Sequence, residues 1–200
     1  MRVVTGEAKG RKLKAPKTMG TRPIIDRVKT ALFDILSDEV EDIRFLDLFA
    51  GTGSVGIEAL SRGAAQATFI EMSYPILKLI RENLQITGLA DRAEVLHADA
   101  FKFLQAQTAN EQRLYDIIYV APPQYKDMAA RALQLLDSSP LVPPGGLVIV
   151  QIHPKEREGV VAVPCTRLNL TDERRYGSTL LMFYRVPKEN FQHADTTSEA

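Results

Sequence analysis

The sequence is nearly free of cysteine, since Cys165 is the single one among 200 residues. One cysteine excludes an intramolecular disulfide framework and is typical of a reducing compartment. The sequence also has no apolar run close to the roughly 20 residues that a membrane-spanning helix needs. Its first thirty residues have no apolar stretch of the kind found in secretory signals. These absences predict a soluble, cytoplasmic protein that has no membrane partner.

The chain has no net charge, but its charges are unevenly distributed. Residues 1–30 contain nine Lys or Arg and two acids, whereas the remainder contains sixteen basic and twenty-three acidic residues. A basic segment on an acidic body indicates a polyanionic partner, nucleic acid first. A solvated basic face on an ordinary hairpin is the alternative, and charge alone does not distinguish the two.

The chain has no internal repeats, and its length suffices for one α/β core with little left for a second domain. Apolar runs that predict strands cover 44–49, 66–71, 93–98, 115–120 and 146–152. Helical patterns between them cover 54–62, 73–87, 99–106 and 126–137. This alternation predicts a mostly parallel sheet with helices on both faces.

The two ends of the chain differ from this central pattern. "MRVVTGEAKGRKLKAP" alternates apolar and basic residues around Gly6 and Gly10, which predicts a small β-hairpin within an arm that spans 1–20. The helix that follows should turn Val28, Leu32, Ile35 and Leu36 towards the core. "VPCTRLNL" and "TLLMFYR" predict two further strands joined by a charged loop. We expect the main domain to span 21–187 and a disordered polar tail to span 188–200.

A glycine-rich loop follows the first predicted strand. "FLDLFAGTGSVGIEAL" places Gly51, Gly53 and Gly56 in G-x-G-x-x-G spacing between a strand and a helix. Such glycines let the backbone turn sharply and approach a ligand at the helix N-terminus. Dinucleotides, phosphates and adenosyl cofactors all use this kind of crevice, so the loop alone leaves the ligand class open.

Three acids favour an adenosyl cofactor. Asp47 lies inside the first strand, where a carboxylate is suited to the ammonium of an amino-acid moiety. Glu71 ends the second strand, where a carboxylate binds ribose hydroxyls; its alternative is a solvated strand end. Asp99 follows the third strand, where it could accept from an adenine amino group and also cap the next helix. Together they match both ends of S-adenosylmethionine.

The stretch "FLDLFAGTGSVGIEALSRGA" resembles the first motif of class I S-adenosylmethionine-dependent methyltransferases, and more narrowly that of the RsmD family. "RVVTGEAKGRKLKAP", "TRPIIDRVKTALFDIL" and "ERRYGSTLLMFYR" are similar to other segments of that family. The resemblance implies a Rossmann-like α/β fold with a seven-stranded sheet. It also implies transfer of a methyl group to the exocyclic N2 amine of a guanine in small-subunit ribosomal RNA, free or in an assembly particle. The implied cofactor residues are Asp47, Phe49, Ala50, Gly51, Thr52, Gly53, Glu71, Met72, Asp99 and Ala100.

In this family the fourth strand ends in Asp or Asn, two prolines and an aromatic residue. Here the segment is "APPQY", so the implied catalytic residues are Ala121, Pro122, Pro123 and Tyr125. The guanine amine is a poor nucleophile, because its lone pair is delocalised, and acceptors must orient its N–H groups. The prolines stiffen the corner and turn carbonyls into the site, while Tyr125 would stack on the base. Ala121 lacks the side-chain acceptor, and Gln124 displaces the aromatic residue by one position.

The basic arm and the corner supply the predicted RNA contacts. They are Lys9, Arg11, Lys12, Arg22, Arg27 and Gln124.

Three other functions compete with methyl transfer to an RNA guanine. Ala121 allows a catalytically weakened assembly factor that binds cofactor and RNA. A nicotinamide-dependent oxidoreductase shares the glycine loop, but Asp47 and the double proline argue against it. A DNA adenine methyltransferase would need a target-recognition domain, for which the chain has no room. We expect no metal, because none of the three histidines has a suitably spaced Cys or His partner.

Overall fold

The computed structural model describes residues 1–16, 25–106, 113–124 and 127–188. Arg22, Tyr125 and the predicted tail beyond Lys188 lie outside the described residues. In chain order, the helices and strands of the described part are α1 (Asp26–Leu36), β1 (Arg44–Asp47), α2 (Ser54–Ser61), β2 (Gln66–Glu71), α3 (Tyr74–Thr87), β3 (Ala93–His97), α4 (Ala100–Ala106), β4 (Ile117–Val120), α5 (Met128–Asp137), β5 (Leu147–Ile152), α6 (Arg157–Val161), β6 (Asn169–Tyr176) and β7 (Thr179–Arg185).

The seven strands form one sheet in the order β3-β2-β1-β4-β5-β7-β6. The first five strands are parallel, and β7 runs antiparallel to both β5 and β6. The chain builds outward from β1 on one side and then returns to β4 on the other. The predicted Rossmann-like sheet is confirmed, and β1 to β5 begin and end within two residues of the predicted positions.

Helices cover both faces of the sheet, as the alternation of side chains along each strand requires. One face, here called the arm face, carries Phe45, Tyr119 and Ile149 and packs against the N-terminal arm, α1, α2 and α3. The other, the back face, carries Val120 and Val150 and packs against α4, α5 and α6. The core therefore consists of two layers, one on each face of the sheet.

Helix α1 buries a different set of residues from the predicted one. Val28, Leu32 and Leu36 face the core as expected, but Ile35 is 36% exposed and Lys29 is fully buried. The helical period places Lys29 beside Val28 on the inner face, and an ion pair described below makes its burial possible.

The N-terminal arm, residues 1–16, forms a minimal antiparallel hairpin. Arg2 and Lys12 make its one β-bridge, and the Val3 N–H donates to the Arg11 carbonyl at 3.0 Å. The arm is tied to the core because Val3, Ala8 and Leu13 are buried in the arm-face layer. The predicted hairpin is present, but it has no extended strands.

The C-terminal hairpin starts later than expected. The predicted strand "VPCTRLNL" contributes only its last two residues to β6, and the charged segment predicted as a loop forms the rest of that strand. β6 is the edge of the sheet, where charged side chains remain in water and discourage pairing with another chain. Helix α6 between β5 and β6 was not predicted.

Candidate active site

The carboxyl ends of β1 to β5 form one continuous edge, here called the carboxyl edge, because these strands are parallel neighbours. The predicted cofactor residues lie at the ends of β1, β2 and β3, and the predicted catalytic corner follows β4. The connections leave β1 and β4 in opposite directions, which is where open α/β sheets bind ligands. The fold therefore brings the described residues of both predicted sets to the same edge of the sheet.

The glycine loop, residues 48–53, has two glycines that its backbone requires. Gly51 and Gly53 have φ angles of 51° and 75°, a region that residues with a Cβ adopt at a cost. Gly56 is needed for packing instead, since a Cβ there would lie 2.4 Å from the Phe69 ring. The loop thus turns sharply and α2 lies close against β2.

Asp47 is buried at the end of β1, with 1% of its surface exposed. Its carboxylate accepts a hydrogen bond from the Gly56 N–H at 3.2 Å. Burial raises the pKa of Asp47 from 3.8 to about 7, the Gly56 hydrogen bond lowers it in part, and the charge of Glu71 raises it further. A buried carboxylate of this kind gains most from a cationic partner, so Asp47 is suited to an ammonium group.

Glu71 ends β2, and its carboxylate holds the glycine loop. One oxygen accepts from the Gly51 N–H at 3.1 Å, and the other accepts from the Ser73 N–H at 2.7 Å. Two backbone donors orient the carboxylate and leave it lone pairs for further donors, such as two ribose hydroxyls. The strand pattern predicted the position of this acid but not its contact with the loop.

Asp99 caps α4, because its Oδ1 accepts from the Lys102 N–H at 2.9 Å. A carboxylate in this position has capacity for one more donor. Met72, which follows the neighbouring strand β2 at the carboxyl edge, is 68% exposed, and its carbonyl lies 2.9 Å from His97 Nε2. An exposed thioether next to an acceptor suits the flat face of a purine.

The other predicted cofactor residues lie in the loops after β1 and β3. The Ala50 N–H donates to the Ile70 carbonyl at 3.0 Å, which joins the loop to β2. The rings of Phe49 and Phe101 meet edge to face with centroids 5.9 Å apart, and Ala100 is buried beside them. These contacts hold the loop after β1 against β2 and against the start of α4.

The corner after β4 consists of a half-buried Ala121, a buried Pro122, a half-buried Pro123 and an exposed Gln124. Tyr119 precedes it in β4, and its hydroxyl donates to Gln151 Oε1 on β5 at 2.6 Å. Burial, and next the charge of Asp47, raises the pKa of Tyr119 well above 10. The phenol is therefore a neutral donor beneath the corner.

The family of the chain follows from its sequence relatives. A family model described as "Conserved hypothetical protein 95" matches residues 1–185. The chain belongs to this family, the RsmD family. It is 35% identical over 188 residues to the putative rRNA methyltransferase YlbH of Bacillus subtilis, covering 92% of this chain and 98% of that protein. It is 32% identical over 195 residues to ribosomal RNA small subunit methyltransferase D of Escherichia coli, covering 98% and 94%.

Solved structures agree with this RsmD assignment. The putative methyltransferase yhhF of Escherichia coli superposes with a TM-score of 0.79 at 32% identity, covering 94% of this chain and 99% of that chain. An RNA methyltransferase from Salinibacter ruber, solved with S-adenosyl-L-homocysteine, superposes with a TM-score of 0.63 at 16% identity, covering 84% and 95%. The second comparison concerns the fold alone, which is the class I methyltransferase fold.

Asn83 on α3 contacts the glycine loop, and the sequence did not predict this contact. Its fully buried side-chain amide donates to the carbonyls of Thr52 and Lys14, at 3.1 Å each. Its Oδ1 accepts from the Lys14 N–H at 2.8 Å. One amide thus joins the N-terminal arm to the loop, and the only signal in the sequence is a polar residue on the inner face of a helix.

A buried ion pair between Lys29 and Glu58 was also missed. Both side chains are fully buried, and their charged atoms lie 3.0 Å apart. Lys29 Nζ also donates to the Arg2 carbonyl at 2.7 Å and to Ser54 Oγ at 3.1 Å. Glu58 accepts from the N–H groups of two arm residues. The pair joins the arm, α1 and the first turn of α2.

The predicted RNA-binding residues within the described part of the chain are exposed. They are Lys9, Arg11, Lys12, Arg27 and Gln124. The charge count of residues 1–30 overstated the basic surface, however, because it included the buried Lys29, and Lys14 is paired with Glu82. Over the described ranges, no helix is long and apolar enough to cross a membrane, and no cluster of three or more His, Cys, Asp or Glu could hold a metal.

Glu71→Ala should weaken the binding of S-adenosylhomocysteine at least tenfold. The change removes an acceptor of charge-assisted hydrogen bonds, which contribute roughly 1.5–3 kcal/mol each, and it releases the Gly51 N–H. Isothermal titration calorimetry measures the affinity. Glu94→Ala on the neighbouring β3 is the control, since its carboxylate pairs with Arg113. Equal affinities for the parent and Glu71→Ala would remove Glu71 from the site.

Proposed function

We propose that this protein transfers a methyl group from S-adenosylmethionine to the exocyclic N2 amine of a guanine in small-subunit ribosomal RNA. The observation that carries the proposal is the carboxyl edge, which Asp47, Glu71 and Asp99 share with the double-proline corner. The Escherichia coli relative named ribosomal RNA small subunit methyltransferase D supports the substrate class. The substrate is this RNA, either free or within a small-subunit assembly particle.

The residues at the carboxyl edge fit the cofactor. The buried Asp47 carboxylate, whose pKa is raised to about 7, holds the ammonium of the methionine moiety. The oriented Glu71 carboxylate takes the ribose hydroxyls, and Met72 and Asp99 bind the adenine. When bound, the cofactor supplies an electrophilic methyl group on a sulfonium, which is already a good leaving group, so the transfer requires no metal.

The corner holds the acceptor amine. Base pairing and stacking hide a guanine amine, so the base must be extruded, as in other enzymes that modify bases. The carbonyls of Ala121 and Pro122 accept its N–H groups and turn the nitrogen lone pair towards the methyl carbon. The nitrogen forms the new bond as the sulfonium carbon–sulfur bond breaks, and the nitrogen then loses one proton to water. Tyr125, which lies outside the described residues, is proposed to stack on the base.

The proposal is tested by single-turnover methyl transfer from labelled S-adenosylmethionine to small subunits that lack the modification. Mass spectrometry of the digested RNA should find one N2-methylguanine. Ala121→Asn should change the rate only modestly, since it adds one acceptor to an organised site. An inactive parent together with an active Ala121→Asn variant would favour the second candidate, an assembly factor that binds cofactor and RNA without transferring the methyl group.

The exposed arm cations should contribute to RNA binding through the phosphates. Neutralising Lys9, Arg11 and Lys12 to Gln together should lower the slope of log affinity against log salt by about 2, because each lost single-strand contact is worth about 0.7. Fluorescence anisotropy with labelled RNA measures the slope at several salt concentrations. Lys188→Gln, an exposed cation after β7, is the control. A triple variant with the parent slope would contradict RNA binding by the arm.

A further inference from the structure

Strand β5 places Gln151 beside the corner that follows β4. The register of the two strands pairs Tyr119 with Ile149 and Val120 with Val150. The next step of this register sets Ala121 opposite Gln151, and neighbouring strands lie about 4.8 Å apart. The residue that lacks a side-chain acceptor therefore has a glutamine as its lateral neighbour at the carboxyl edge.

The side chain of Gln151 lies on the same face as Ala121. Ala121 packs with the arm-face layer, and so does Tyr119 two residues earlier. The amide of Gln151 reaches this face, because its Oε1 accepts the 2.6 Å hydrogen bond from the Tyr119 hydroxyl. Asp47 pairs with Tyr119 from the opposite side, on β1. The Gln151 amide and the Asp47 carboxylate thus flank β4 on one face of the sheet.

The hydrogen bond from Tyr119 orients the amide oxygen. The buried phenol stays protonated, since the pKa of Tyr119 is raised well above 10 by burial and then by the charge of Asp47. A carbonyl oxygen has two lone pairs, and the phenol takes one. Gln151 is only partly buried. A ligand can therefore reach its side chain, whose amide oxygen has a second lone pair.

We propose that Gln151 supplies the side-chain acceptor that position 121 lacks, with its amide oxygen accepting one N–H of the guanine amine in place of one corner carbonyl, while the other corner carbonyl accepts the second N–H. The inference rests on the proposed function. Alanine at position 121 leaves room on the arm face for this amide, whereas Asp or Asn there would stand directly beside it. Gln151 is then a catalytic residue that touches the substrate, and Tyr119 is a positioning residue that fixes the amide oxygen.

The test is Gln151→Met, which keeps the length of the side chain and removes the acceptor. The single-turnover rate should fall about 10²–10³-fold, as for the loss of one preorganised hydrogen-bonding group. S-adenosylhomocysteine affinity should stay at the parent value, whereas Tm should fall by a few degrees, because the buried Tyr119 hydroxyl loses its acceptor. Adding Ala121→Asn to Gln151→Met should restore most of the rate. Tyr119→Phe should cost about tenfold, because it frees the amide oxygen without removing it. Gln66→Met, at the amino end of β2, is the matched control.

The outcomes separate this inference from the proposed function. A parent that transfers no methyl group overturns the proposed function, and this inference with it. An active parent with an equally active Gln151→Met variant overturns the inference alone. A slow Gln151→Met variant whose rate does not recover on adding Ala121→Asn assigns Gln151 a structural role and also overturns the inference.

Discussion

Lys29→Met should lower the free energy of unfolding by about 3 kcal/mol, the lower end of the usual cost of breaking a buried ion pair, because Glu58 keeps Arg62 Nε at 3.3 Å as a second cationic partner. Lys29 Nζ lies 3.0 Å from the Glu58 carboxylate and also donates to the Arg2 carbonyl and Ser54 Oγ. Methionine fills most of the same volume, so the loss is mainly electrostatic. Urea unfolding followed by circular dichroism measures the change.

A surface pair of the same residue types provides the control. Lys14 and Glu82 lie 2.9 Å apart, but their side chains are 58% and 53% exposed. Lys14→Met should therefore cost no more than about 1 kcal/mol. Adding Glu58→Gln to Lys29→Met should recover part of the loss, because the remaining buried group is then neutral. The importance of the buried pair is refuted if Lys29→Met and Lys14→Met destabilise the protein equally.

Lys29 also shows where the sequence was insufficient. Helical periodicity predicted α1 and most of its inner face, because apolar spacing is a local property. It could not predict that Lys29 would be buried, because its partner Glu58 is on another helix. Charge counts treat every lysine as exposed, so the basic segment was judged more basic than its surface is. Long-range pairing of this kind is visible only in the folded chain.

The cofactor side of the site was more predictable than the catalytic side. The acids at the ends of β1, β2 and β3 were located from strand order alone, since the ends of parallel strands share one edge. The corner after β4 was located as well, but the sequence offered only groups of the corner itself, such as the Gln124 amide and the backbone carbonyls, to replace the acceptor that Ala121 lacks. Gln151 is thirty residues away in the chain, and only the register of β4 with β5 makes the two neighbours.

Asp47→Asn should have opposite effects on stability and on cofactor binding. Because burial raises the pKa of Asp47 from its ordinary 3.8 to about 7 in the folded protein, the folded state binds a proton that the unfolded state has released between these pH values. The contribution of Asp47 to stability is thus fully present below pH 4 and lost as the pH rises to 7. Asparagine has no charge to desolvate, and its oxygen can still accept from Gly56.

We therefore expect the protein without cofactor to gain up to about 4 kcal/mol at pH 8 on Asp47→Asn. The gain should shrink progressively as the pH falls from 7 to 4. Differential scanning calorimetry at several pH values measures it. Asp137→Asn is the matched control with the opposite sign. Burial raises the pKa of Asp137, but hydrogen bonds from Thr166, Leu168 and Arg167 outweigh it and hold that pKa below 3.8, so its replacement should destabilise the protein at pH 8.

Cofactor binding should respond in the other direction. Asp47→Asn should weaken S-adenosylhomocysteine about 10–100-fold at pH 8, because the ammonium loses a charge-assisted hydrogen bond in a buried site. The parent's affinity should rise with pH up to about 7, as the Asp47 carboxyl loses its proton, whereas the affinity of the variant should stay flat over this range. Calorimetric titration at about pH 5.5, 7 and 8.5, which lie below, at and above the pKa of Asp47, measures both trends. A variant that binds S-adenosylhomocysteine as tightly as the parent would mean that Asp47 does not hold the cofactor. A variant that unfolds at a lower temperature than the parent at pH 8 would mean that the Asp47 carboxylate stabilises the fold.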